Sequence, residues 1–455
     1  MVRILAKFTI RNESKQLKTL IKAGMIVTMD DQRQIFEPGH LLFDDDKIIS
    51  VGSPSEIPES QADRIIDLSQ RLIMPGLINA HTHTPMVLFR GRAEGISLFT
   101  MDGFINCLRR LEGAADAAMV AAAVEVSCAE MIRTGTTCFA DQYFYMKEIL
   151  PVVAQSGMRA ALAYGIVELG DAESRAREIA AATAFLESLS DHPRIKGWVG
   201  PHAFFVDNSE EIIALELDLA RRFDTGLHIH FATSSEEEDY CQEKFGVSAV
   251  TYMKELGILE FPILAAHSIT VPESDYAVLA DSPFTAVICP SSSMRSGFPA
   301  AALKAMRAAG INTAIGTDNV ANANSYDLFR EMDIGAKLSV YRESQPGAVP
   351  AKEILAMGTR GGARALGWED KIGSLETGKL ADLIALDLTD IGWGPKEGQD
   401  IYTAIVYAIS GMHVTDVMVG GQWLLREQKW ETLNYASAVE QMNKDYDRLA
   451  KKFAD

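Results

Sequence analysis

Two histidines, His81 and His83, close an apolar run that reads Ile73-Met74-Pro75-Gly76-Leu77-Ile78-Asn79-Ala80. Alternate side chains of a strand share a face, so both imidazoles point the same way. A pair so placed at a strand end can grip one metal ion. The plainer reading is a buried strand with two satisfied histidines, and the rest of the chain weighs against it. His202 follows Gly200-Pro201, His228 and His230 lie in Leu227-His228-Ile229-His230, and His267 follows Ala266. Asp141 and Asp318 also end strand-like runs, the second in Ile315-Gly316-Thr317-Asp318. Of nine histidines, only His40, His192 and His413 lie elsewhere. Three imidazoles and one carboxylate make a divalent-metal shell with room for a water. The metal brings that water's pKa towards neutrality. Asp318 can then take a proton, His267 can hold the hydroxide or polarise a substrate, and His202 can contact the substrate. The competing reading of His202 is an ordinary loop histidine.

These residues need a scaffold that gathers strand ends. Eight strand candidates lie near 77–83, 136–141, 159–165, 195–201, 226–231, 263–267, 285–289 and 312–318. Several are nearly all apolar, as parallel strands buried on both faces must be. Residues 117–132 and 174–189 between them read as amphipathic helices. Eight such units predict an α/β fold, a (β/α)8 TIM-type barrel with its site at the C-terminal strand ends. The segments 19–66, 381–387 and 414–425 have a β texture instead, with a hairpin around Asp44-Asp45-Asp46. The expected division is an extension over 1–19, a small β-sandwich domain from 20–73 and 371–425, a catalytic barrel over 74–370, and a C-terminal helix over 426–455.

A chain of 455 residues with 47% apolar content can bury a large core and a smaller one. A net charge of −19 argues against nucleic acid and anionic membranes as partners. Five scattered cysteines fit a reduced, cytoplasmic chain better than a disulfide frame. Residues 1–20 lack an apolar core and do not read as a signal peptide. No stretch reaches membrane-span length.

The motifs Pro75–His83, Arg90-Gly91, Gly135-Thr136-Thr137, Gly200-Pro201-His202, Leu227–His230, Ala266-His267, Gly316-Thr317-Asp318 and Gly373–Leu383 resemble the amidohydrolase superfamily over about residues 20 to 425. The similar branch holds the S-adenosylhomocysteine and methylthioadenosine deaminases and the triazine hydrolases. The resemblance implies one divalent ion, zinc or else Fe2+ or Co2+, on His81, His83, His230 and Asp318. It implies catalysis by Asp318 and His267, a small-molecule substrate and a homodimer. Two-metal members carry a lysine at the end of the fourth strand; here Lys196 begins that strand, so a single metal is expected. His228, one layer deeper than His230, reads as a packed core histidine.

Two positions depart from the branch. Its glutamate three residues after the fifth-strand metal histidine is Thr233 here, and a hydroxyl is no general acid near pH 7. Glu236 is the nearest ionisable surrogate, although a solvated first helical turn explains it as well. The acidic residue expected near position 99, which binds ribose, is also missing. Phe99 and Met101 would form an apolar wall there, and Asp102 reads as a helix cap. Substrate contacts are therefore expected from His202, Phe99, Met101 and Thr233. The reading is a metal-dependent hydrolase that deaminates, or otherwise cleaves a C–N bond in, a small, fairly apolar N-heterocycle or amide. The alternatives are release of a better leaving group from a C–Cl, C–S or cyclic amide bond, and a catalytically silent metal-binding relative.

Overall fold

A computed structural model describes residues 17–189, 192–395 and 398–454. Its centre is an eight-stranded parallel sheet in sequential order. The strands are Leu77–Thr82, Thr136–Tyr143, Arg159–Ile166, Ile195–Pro201, Leu227–Phe231, Ile263–His267, Phe284–Ile288 and Asn312–Ile315. Four of the eight are buried along their whole length, because helices such as Ala117–Arg133, Glu210–Phe223 and Leu328–Glu343 cover the outside. The barrel closes where the last strand meets the first. There Asp318 N–H donates to His81 O at 2.9 Å, and Thr82 and Asp318 form a parallel bridge. Gly316 permits this approach, since a Cβ on it would lie 2.9 Å from the His81 backbone nitrogen. The last strand is shorter than expected and ends at Ile315. Asp318 lies beyond it with φ 59°, in the left-handed region, which turns its side chain off the strand's alternation.

Both chain ends build the second sheet, and the expected architecture holds. Strands Lys18–Val27, Gly39–Asp44, Lys47–Gly52 and Arg64–Pro75 join Leu383–Asp387, Val414–Val419 and Gln422–Arg426 in one mixed sheet. Arg64–Pro75 is the hinge of this arrangement. It pairs with Lys18–Val27 on one side and with Leu383–Asp387 on the other, then runs through Gly76 into the first barrel strand. Ile21, Phe43, Ile73, Leu383 and Met418 share its apolar core. Helix Tyr435–Ala454 then packs on Ala117–Arg133. Residues 1–16 of the expected extension lie outside the described residues, and Lys18 already belongs to a strand. Among the described residues the five cysteines are free, and no helix is long and apolar enough to cross a membrane.

One buried ion pair ties the two sheets together. Arg159, at the start of the third barrel strand, donates from Nε and Nη2 to Asp382 at 2.5 and 3.0 Å. Asp382 also accepts from Gly420 N–H at 2.7 Å. Removing one partner leaves an uncompensated buried charge, which costs about 3–5 kcal/mol. Asp382→Ala should lose stability of that order in urea unfolding, and Arg159→Met combined with Asp382→Leu should lose less. Equal losses would show that the uncompensated charge is not the cause.

Candidate metal centre

The ends of the first, fifth and sixth barrel strands and the turn after the eighth bring His81, His83, His230, His267 and Asp318 together. His83 Nδ1 lies 2.6 Å from Gln142 O, and His230 Nδ1 lies 3.0 Å from His202 O. A carbonyl only accepts, so both Nδ1 atoms carry the hydrogen and both Nε2 atoms present lone pairs. Those two Nε2 atoms face each other at 3.3 Å. His81 Nδ1 lies 2.8 Å from His228 Nε2, while His81 Nε2 is buried with no hydrogen-bond partner. Asp318 Oδ1 is 3.3 Å from His83 Nε2 and 3.5 Å from His81 Nε2. Bonds of about 2.05 Å to a tetrahedral zinc place ligand atoms about 3.3 Å apart. The donor set therefore fits one divalent cation. Without a cation, facing lone pairs and a buried carboxylate would repel.

Burial favours neutral imidazoles, as metal ligands must be. It lowers His81 to about 4 and His267 to about 3, and holds His230 and His228 well below the usual value. Burial alone would lower His83 too, but the adjacent Asp318 carboxylate outweighs it and raises His83 above the usual value. Burial alone would raise Asp318, but the close approach of the His81 and His83 rings outweighs it and holds the carboxyl well below its usual value, so it stays ionised. His267 has φ 77°, so two site residues hold the left-handed backbone that non-glycine residues avoid. Lys196 lies at the opposite end of the barrel, where Nζ donates to Gly367 O at 2.7 Å.

A cavity opens above the histidine cluster. With its mouth it encloses about 920 Å³. Its walls include Met86, Leu98, Phe99, Phe144, His202 and Thr233. Phe99 packs on the His267 ring with centroids 4.4 Å apart. The His202 ring lies 4.5 Å from that of His230, and its Nδ1 is bound to the Asp207 carboxylate. The Met101 side chain lies outside the described residues. Asp102 is exposed within a short helix and accepts from Asn106 instead of capping.

Several partners escaped the sequence reading. Gln142 and His228 orient His83 and His81, and Asp207 orients His202. Glu236 lines the cavity but is exposed, whereas its neighbour Glu237 is buried there and accepts from Ala232 N–H at 3.1 Å. Burial pushes the Glu237 carboxyl up to about 8. Burial also raises Glu112, which lies 3.4 Å from Arg109, and both line the cavity. The helical phase after strand five selects Glu237 over Glu236, and a run of three glutamates hides that phase.

A model of the amidohydrolase family matches residues 72–424. The chain belongs to this family. It is 33% identical over 435 residues to a 5-methylthioadenosine/S-adenosylhomocysteine deaminase of Caldanaerobacter subterraneus, spanning 95% of this chain and 99% of the relative. It is 33% identical over 432 residues to a 5'-deoxyadenosine deaminase of Methanosarcina barkeri, spanning 94% and 98%. An adenosine deaminase structure from Xanthomonas campestris with bound zinc superposes with a TM-score of 0.89 at 28% identity, over 95% of this chain and 98% of that one. Atrazine chlorohydrolase from Arthrobacter aurescens, also with zinc, shares the fold with a TM-score of 0.85 at 21% identity, over 94% of this amidohydrolase and all 100% of that chain. The resemblance carried by the motifs thus extends over nearly the whole chain.

Glu237 makes a testable contribution to stability. Its folded pKa of about 8 stands above that of an unfolded glutamate, about 4.3. The protonated folded form is favoured at low pH, and this stability is lost as pH rises from about 4.3 through about 8. Glu237→Gln should flatten the pH dependence of the unfolding free energy in that window by up to about 1.4 kcal/mol per pH unit. An unchanged slope would show that Glu237 titrates normally.

Proposed function

We propose that this amidohydrolase releases ammonia from an amino-substituted heteroaromatic ring, with one zinc ion held by His81, His83, His230 and Asp318. The observation that carries the reading is the pair of Nε2 lone pairs on His83 and His230, 3.3 Å apart beside the Asp318 carboxylate. A divalent cation bound there supplies hydroxide near neutral pH and polarises the substrate. Asp318 accepts the proton of the attacking water. Neutral His267 hydrogen-bonds the reacting centre, held against Phe99. His202, with Nδ1 tied to Asp207, presents its Nε2 edge to the substrate. Leu98, Phe99 and Phe144 give the ring an apolar bed and exclude water. The deaminase relatives support this choice, because their names share an aminopurine. Phe99, however, stands in the cavity wall where a ribose-binding acid was expected.

Loss of ammonia needs a proton on the ring nitrogen or the leaving amine, and Thr233 has none to give. Glu237, on the helix after the fifth strand, has the carboxyl that burial keeps protonated at neutral pH. Thr233 favours a second reading as well, in which a group such as thiolate or chloride departs without protonation.

Product release from a panel of amino-, chloro- and alkylthio-substituted heterocycles, 5'-deoxyadenosine among them, tests the proposal. The expected result is ammonia in stoichiometry with product; chloride or thiol release alone would support the second reading. Glu237→Gln should then lower kcat by about 10²–10⁴-fold, the usual worth of a positioned general acid. Glu236→Gln should leave kcat nearly unchanged. The reverse order would make Glu236 the acid, and two silent variants would favour a leaving group that needs none.

A further inference from the structure

We propose that Ser292 and Asn322 form a relay that fixes which oxygen of Asp318 faces the metal position. The inference rests on the metal centre described above and goes beyond its ligands to two positioning residues. Ser292 lies on the short helix Pro290–Arg295 after the seventh strand, and Asn322 lies in the loop after the eighth. Both are fully buried.

Proton bookkeeping gives the relay its direction. Asn322 Nδ2 lies 3.1 Å from Ser292 O, 2.9 Å from Ser292 Oγ and 2.9 Å from Ser296 Oγ. The Ser292 carbonyl can only accept, so this end of the amide is the donor NH2. Its two hydrogens are shared among the three oxygens, and towards this NH2 the Ser292 Oγ can only accept. Its own single hydrogen goes to Asp318 Oδ2, with which it is in hydrogen-bond contact. That leaves Oδ1 as the oxygen turned towards the Nε2 atoms of His81 and His83. Asn319 Nδ2 donates to the same Oδ1 at 3.1 Å, and Asn319 Oδ1 accepts Asn322 N–H at 2.9 Å. The two loops are thus locked around the carboxylate. Asn322 Oδ1 is itself buried without a hydrogen-bond partner. A fold that leaves a buried amide oxygen unpaired pays a desolvation penalty, and the donor end of the same amide is where that cost is offset.

A carboxylate held in this way presents one oxygen to the cation in a fixed orientation. Outer partners of metal ligands are typically worth 10–100-fold in metal affinity. The test is zinc affinity of the full chain by chelator competition, which needs no substrate. Ser292→Ala should weaken zinc binding by about 10–100-fold, and Ser292→Thr, which keeps the hydroxyl, should restore it. Asn322→Ala should lose less, because Ser292 keeps its hydrogen. The double variant should bind as weakly as Ser292→Ala alone, since partners in one network do not add. The cobalt-substituted protein should show the same ranking in its d–d spectrum, which a general loss of packing would not produce. Unchanged affinity in Ser292→Ala, or losses in the double variant that multiply, would overturn the relay. If Ser292→Ala does not fold, wild-type affinity in Asn322→Ala would overturn it instead. Absence of zinc binding by the unaltered chain would overturn the metal centre itself, a distinguishable result.

Discussion

The site depends on one electrostatic constraint: imidazoles and a carboxylate converge at the buried floor of the cavity. His81 Nε2 has no hydrogen-bond partner, His83 and His230 Nε2 face each other, and Asp318 adds a negative charge. Such a group is unfavourable in a low-dielectric interior unless a cation compensates it. The barrel supplies the rigidity that holds the arrangement together. Its last strand reaches the first through the backbones of His81 and Asp318, so the closing contact of the fold and the site are the same residues.

The tautomers are set by the register of neighbouring strands rather than by the ligands themselves. Gln142 O on the second strand fixes His83, and His202 O beyond the fourth fixes His230. Gln142 in turn donates to Pro201 O at 3.0 Å and to His228 O at 2.6 Å, which cross-links three strands beneath the site. A slip of any one strand would turn a lone pair away from the centre. The small sheet contributes indirectly, through Arg64–Pro75, which feeds the first strand into the barrel from a fully paired position.

Much of this was legible in the sequence because strand ends carry a simple code. A period of two puts His81 and His83 on one face, and apolar runs announce where each strand stops. The barrel, the two-ended small sheet and the gathering of six histidines followed from those signals. The residues that tune the site were not legible, for physical reasons. His228 looked like packing because its role is to meet His81 across 147 positions of sequence. Asp207, Ser292 and Asn322 act through loops whose paths no periodicity encodes. Glu237 and Glu236 differ only in helical phase, and one is buried while the other is exposed. Asp318 was placed on a strand, but its left-handed backbone puts it in the turn that follows.

The charge balance of the centre can be read directly by elemental analysis of the purified chain, before any substrate is known. Wild-type protein should carry one equivalent of a divalent transition metal per chain. His230→Ala should lose it while keeping a cooperative unfolding transition, because the packed strand layers and not the metal hold the barrel. Full metal occupancy in a folded His230→Ala chain would contradict the ligand set of His81, His83, His230 and Asp318.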